Sequence, residues 1–268
     1  MAKHTCAICG AEVGLISEQK LADGNFICRK VCVKKCMKIF NKVEATLDSV
    51  KSHIEQVEFG TKAWNQLFVP LKKTKKKDEK LKQFGKNGEL YVSKSTGLIA
   101  LTENRYKIFL FGKSTIACVY RIADLYGYDY VSEQVKNSDG KMETKHFCVM
   151  TFNDTPGMYE VRLEVRAREY EDMEKYFNTL FGIQKTLRNI GNTWKQQINA
   201  AKAVAGAVKA VKDGTLDEAQ AEATADALNT MQYGDRTEWI ARADAALMLV
   251  NKKTSPWYQT RFSNGTDK

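Results

Sequence analysis

Cys6-Ala7-Ile8-Cys9-Gly10, and further on Cys28-Arg29-Lys30-Val31-Cys32-Val33-Lys34-Lys35-Cys36, hold five of the seven cysteines within the first 36 residues. The first group has the form of a knuckle. A tight turn offers two thiolates to one ion, and Gly10 lets the backbone fold back. Zinc takes four soft ligands in a tetrahedron, and two short-range cysteine pairs joined by a hairpin supply them. Cys6, Cys9 and Cys28 are the clear candidates. The usual spacing would put the fourth ligand at position 31, where Val31 stands. Cys32 comes one residue later and shares a helix face with Cys28, so the expected set is Cys6, Cys9, Cys28 and Cys32, with Zn2+ as the ion. Cys36 is the alternative fourth ligand or a buried thiol. His4 is a possible competitor that reads more simply as a solvated side chain.

Between the two groups, Lys20-Leu21-Ala22-Asp23-Gly24-Asn25-Phe26-Ile27 carries an Asp-Gly turn between apolar residues, a hairpin signal. The unit therefore reads as knuckle, hairpin and helix. Its own core is small, so metal binding is expected to supply much of its folding free energy.

These residues carry a resemblance. Cys-x-x-Cys-Gly at Cys6–Gly10, Val13-Gly14-Leu15, Lys20-Leu21 with Asp23-Gly24, and Cys28 resemble a small bacterial zinc finger of unknown function. In that family the finger is often followed by a PH-like β domain. The likeness covers about the first 36 residues. It departs at the second cysteine pair, where three residues intervene in place of two. It implies a structural metal and no catalytic residues.

From Val31 to Val57, apolar residues recur at three- and four-residue steps through Ile39, Phe40, Val43, Leu47, Val50 and Ile54. Thr46 or Asp48 can cap a second helix, which places a break near 44–48. Lys72, Lys73, Lys75, Lys76 and Lys77 follow. They are the candidate nucleic-acid contacts. Asp78 and Glu79 interrupt the charge and no aromatic residues alternate with the lysines, so a solvated linker is the favoured reading.

Residues 85–165 read as β-rich. The strands are expected at Leu90–Val92, Leu98–Leu101, Tyr106–Phe111, Ile116–Ile122, Tyr126–Val135, His146–Phe152 and Tyr159–Val165. Asn137-Ser138-Asp139-Gly140 is a strong hairpin turn. Glu169–Leu187 follows as a helix with Tyr170, Met173, Phe177, Leu180 and Phe181 on one face. Ile122-Ala123-Asp124-Leu125 running into Tyr128–Val131 resembles the strand entry of the PH-like domains behind such fingers. Gly112-Lys113-Ser114 is a false phosphate-loop lead, because Lys107 stands where the pattern requires glycine. The last third reads as helices over Trp194–Lys212, Leu216–Met231 and Glu238–Val250.

The expected class is α+β: a zinc finger with its helix over 1–42, helix and basic linker over 43–84, a PH-like sandwich or barrel over 85–190, and a helical hairpin or bundle over 191–268. The net charge of +10 admits nucleic acid, anionic lipid or acidic protein as partner. No apolar signal stretch opens the chain and no apolar run approaches a membrane span. With clustered cysteines, this gives a cytoplasmic expectation. Among His4, His53 and His146, only His146 sits near a thiol, two residues before Cys148, and adjacent packing is the simpler account. The functional expectation is a non-enzymatic scaffold or interaction protein that binds another protein or itself. The alternatives are a nucleic-acid binder and a peripheral membrane protein. No catalytic residue and no small-molecule substrate is indicated.

Overall fold

The computed structural model describes residues 4–76, 79–106, 113–153, 155, 157–181 and 236–250. The expected helices over Trp194–Lys212 and Leu216–Met231, Lys77 and the Gly112 position lie outside the described residues. The chain divides into two compact units. One runs to Tyr170 and resumes at Trp239, and the other is Glu171–Glu238.

The first unit opens with four short strands: β1 (His4–Thr5), β2 (Glu12–Val13), β3 (Glu18–Lys20) and β4 (Phe26–Cys28). They form two antiparallel ribbons, β1 with β2 and β3 with β4. The β3–β4 connection turns at Gly24, whose φ of 82° is one that L side chains rarely adopt. Asp23 also joins this turn to the long helix that begins at Leu47, its Oδ2 accepting the Leu47 N–H at 2.7 Å. A single helical turn, α1 (Cys32–Lys35), completes this N-terminal segment.

Of the helical pattern expected over Val31–Val57 with a break near 44–48, the part before the break is helical at α1 alone, and the second helix begins at the expected cap. Residues after α1 run as turns up to Thr46, and Ile39 and Val43 are exposed. Helix α2 (Leu47–Ala63) starts at Thr46, which forms a reciprocal capping box with Ser49. Cap and core residues agree here: Val50, Ile54, Val57 and Phe59 are buried. A π-helical segment, Trp64–Phe68, follows, and α3 (Val69–Lys72) ends the run. The ladder widens just ahead of Pro70, which has no N–H to give.

The body is antiparallel. Strands β5 (Lys82–Phe84), β6 (Leu90–Ser93), β7 (Leu98–Tyr106) and β8 (Lys113–Arg121) form a four-stranded meander. A 3-10 turn at Ile122–Asp124 leads into β9 (Leu125–Lys136), β10 (Met142–Phe152) and β11 (Glu160–Val165), ordered β11-β10-β9 in a second sheet. The Asn137–Gly140 turn forms as its residues require. Asn137 Oδ1 accepts from the N–H groups of Asp139 and Lys141, and Gly140 takes a φ of 79°. Along β11, Val161, Leu163 and Val165 are buried while their neighbours are not, the period-2 pattern of a half-covered strand. Among the described residues the sheets do not close into a barrel.

Helix α4 (Ala167–Phe181) follows β11. In its first turn Glu169 accepts the Gly85 N–H at 2.7 Å. Met173 and Phe177 are buried, as the sequence pattern requires. Helix α2 packs on β8. Gly60 makes the approach possible, because a Cβ there would sit 2.9 Å from Cys118 Cα. One core cluster joins Phe59, Trp64 and Phe68 to Leu98 and Val119. It also takes in Ala243, Leu247 and Val250 from the end of the last described helix, α5 (Thr237–Leu247), and just beyond it. Arg242 ties that helix to the turn after β6 by donating to the Lys94 carbonyl at 2.9 Å.

Candidate metal centre

The β3–β4 ribbon and the knuckle converge on four sulfurs. Cys6 and Cys9 come from the turn after β1, Cys28 ends β4, and Cys32 begins α1. Their Sγ atoms all lie within 4.8 Å of one another. Cys6 and Cys32 are 3.7 Å apart, and Cys9 and Cys28 are 3.5 Å apart. A tetrahedron with metal–sulfur bonds of about 2.3 Å has edges of roughly 3.8 Å. A disulfide needs about 2.0 Å, and all seven cysteines are free. The spacing is that of ligands around one ion.

The backbone is arranged for charged sulfur. Cys28 N–H points at Cys6 Sγ at 3.2 Å, and Cys32 N–H at Cys28 Sγ at 3.3 Å. Burial acts to raise the Cys6 pKa, but N–H groups of Cys9, Ile8 and Cys28 outweigh it and bring the thiol down to about 6. Cys28 is lowered too, burial again being overcome by the backbone of Cys32 and Val31. Cys32 goes the other way, raised by burial and by the sulfurs around it. Four thiolates in this space repel one another, and a cation at their centre removes the conflict. The donor set, all sulfur and mostly buried, suits a soft or borderline metal.

Cys36 stands outside the cluster. Its thiol is directed to the Cys32 carbonyl at 3.6 Å, and burial pushes it up to about 11. His4 is likewise engaged elsewhere: its Nδ1 is 2.8 Å from Glu18 Oε2, and its ring stacks on Phe26 at 3.8 Å.

The cysteine-bearing segment is fastened to β7. Arg105 of β7 donates to the carbonyls of Cys36, at 2.7 Å, and Lys34, while its Nε pairs with Glu103 at 2.9 Å. Glu103 also accepts the Lys38 N–H at 2.6 Å. Lys42 Nζ donates to the carbonyls of Met37 and Phe40, both at 2.8 Å.

Of the lysine run, Lys72 places its Nζ 4.8 Å from the Tyr91 ring centroid and 5.4 Å from that of Trp64. Lys76 pairs with Glu79 at 3.0 Å. Lys73 and Lys75 are exposed. His146 faces Tyr130 and Ser132 across β9. Cys148 is buried, which raises its thiol to about 12. His53, on α2, is fully buried. Met37 and Phe40 of the turn segment cover it, a contact that helical periodicity does not encode.

Residues 5–53 match the family described as a domain of unknown function, DUF4428. The match spans the cysteine cluster and the first part of α2. No curated protein matches the chain, and no solved structure does. No described helix is long and apolar enough to cross a membrane.

Proposed function

We propose that this chain is a non-enzymatic interaction protein, built as a four-cysteine zinc finger on a PH-like β body, that binds another protein or itself. The observation that carries the reading is the four-sulfur cluster of Cys6, Cys9, Cys28 and Cys32, with backbone N–H groups aimed at two of the sulfurs. All four positions of a tetrahedral ion are filled by protein, which is the design of a structural zinc site and leaves no open position for a substrate or water. Zinc is favoured by the all-thiolate set and by the lack of any redox demand in a structural site of four thiolates. A reducing, cytoplasmic setting suits seven cysteines that form no disulfide with one another.

The PH-like reading is supported by element order. A four-stranded and a three-stranded antiparallel meander are followed at once by a helix, α4. Lys72 and Lys76 have partners within the chain, which supports the lysine run as linker over polyanion-binding arm.

The test is capture from the native cell with zinc-loaded protein, run beside the Cys6→Ser/Cys28→Ser variant. The reading expects a protein partner, or a second copy, that is retained by the zinc-loaded chain and lost with the variant. Equal capture by both would separate the finger from the binding and contradict the reading.

A further inference from the structure

The finger has two ends. At one end the Asp23–Gly24 turn is tied to α2 through Asp23 and Leu47, and Ala22 N–H reaches the Ala45 carbonyl at 3.0 Å. At the other end the chain enters β3 through Gly14-Leu15-Ile16-Ser17 and leaves β4 through Arg29-Lys30-Val31. These two segments are neighbours, because Arg29 N–H donates to the Ser17 carbonyl at 2.8 Å.

Leu15 and Ile16 at this free end are 80% and 89% exposed. Val31 beside them is exposed as well, and so are Arg29 and Lys30. The turn that carries the aliphatic pair is closed by its own bonds: Gly14 N–H to Ser17 Oγ at 3.0 Å, Ser17 N–H and Glu18 N–H to the Gly14 carbonyl at 2.8 and 3.0 Å. Glu18 turns inward to His4, while exposed Glu12 precedes the turn in sequence, one negative charge against the two positive charges of Arg29 and Lys30.

We propose that this end of the finger docks on an anionic lipid surface, with Leu15 and Ile16 entering the boundary between headgroups and acyl chains and Arg29 and Lys30 meeting the acidic headgroups. Three features select a lipid surface. The aliphatic side chains stand free in solvent instead of lining a groove, which suits a soft apolar medium better than a peptide. The flanking charge is positive, complementary to acidic headgroups. Three aliphatic side chains are also far short of the roughly 1,000 Å² that a stable second-copy interface needs. The bonds that close the turn order the pair before it binds, so that cost is not incurred at the membrane. The inference rests on the finger being held by its metal.

The experiment is co-sedimentation of the full chain with vesicles of phosphatidylcholine containing phosphatidylserine, and with phosphatidylcholine alone. The wild type binds the anionic vesicles, weakly the neutral ones, and less as salt rises. Leu15→Asp/Ile16→Asp lowers partitioning by about tenfold or more, and the milder Leu15→Ser/Ile16→Ser lowers it in the same direction. Arg29→Gln/Lys30→Gln lowers it by roughly fivefold per charge removed on anionic vesicles only. Zinc per chain, measured on the same samples, stays at the wild-type level and reports on the metal centre independently of the lipid. Absent binding to anionic vesicles, or undiminished binding of both tip variants, overturns the proposal. A tip variant that changes oligomeric mass while vesicle binding is untouched overturns it in favour of a second copy, and one that loses only a protein partner overturns it in favour of a protein with a matching pocket.

Discussion

His53 Nε2 accepts the backbone N–H of Met37 at 3.1 Å, which joins α2 to the segment that leaves the finger. The other ring nitrogen meets Gln56 Oε1 at 3.0 Å, and Gln56 in turn bonds the N–H and carbonyl of Met158. The ring stacks on Phe40 at 4.1 Å. Accepting from Met37 requires Nε2 to be unprotonated, so the neutral tautomer with the proton on Nδ1 is the one the fold selects. His53 and Gln56 together thus join the segment leaving the finger, the long helix and the β10–β11 connection.

Burial holds the His53 pKa down at about 4, against 6.5 for a free ring. The unfolded chain therefore binds more protons than the folded one between these two values. The stabilisation is complete above pH 6.5 and falls as pH drops through the window to 4, by about 3 kcal/mol in all. Denaturant unfolding of wild type and His53→Gln at several pH values, with metal supplied, measures it. The variant is less stable at pH 7.5, and its stability declines less steeply below pH 6.5 than the wild type's. Parallel slopes would remove His53 as the cause.

The fifth cysteine provides a control within the same segment. Cys28→Ser and Cys32→Ser each remove a sulfur from the cluster, and are expected to abolish stoichiometric metal and unfold the finger. Cys36→Ser leaves the four sulfurs in place and is expected to keep full metal content with a modest loss of stability, about 1 kcal/mol. Metal analysis of the three variants checks this. Metal loss in Cys36→Ser equal to that in Cys32→Ser would exchange their roles.

Arg105 clamps the finger from the body side. Arg105→Ala removes its bonds to the Cys36 and Lys34 carbonyls. The expected cost is about 1–2 kcal/mol, because the carbonyls lose a charged donor. Metal content is expected to be unchanged, and limited proteolysis between the finger and α2 to become faster. Unaltered cleavage would show that the clamp does not hold the finger.

At Gly60, alanine would ordinarily strengthen a helix by about 1 kcal/mol. Here its Cβ would overlap the Ala117 carbonyl and Cys118 of β8. Gly60→Ala is expected to destabilise the body by about 3 kcal/mol, as overpacking against backbone does. A denaturation midpoint equal to or above the wild type's would contradict the close packing of α2 on β8.

Much of this architecture is written in local signals. The Asn137–Gly140 turn, the alternation of Val161, Leu163 and Val165, and Thr46 as a helix cap each depend on a few neighbouring residues, and each forms where local chemistry requires. Cys6, Cys9 and Cys28 were legible for the same reason. Cys32 is preferred over Cys36 in sequence for a helix face shared with Cys28, yet Cys28 ends β4 and α1 begins only at Cys32, so the two sulfurs meet by a different geometry. Ile39 and Val43 share the helical spacing of the buried Val50 and Ile54, yet they lie on turns and face solvent. His53 looks polar in sequence, and only the covering Met37 and Phe40 make it a core residue. Strand β5 is three residues long beside lysines, too short to show a period, and exists through its pairing with β6.

The central claim is that four thiolates near the amino end hold one metal ion. Native mass spectrometry of protein purified without chelator and dialysed against metal-free buffer tests it most directly. The account predicts a chain carrying one zinc, with the metal absent from Cys6→Ser/Cys28→Ser. A wild-type chain found at its bare mass, still folded, would contradict it.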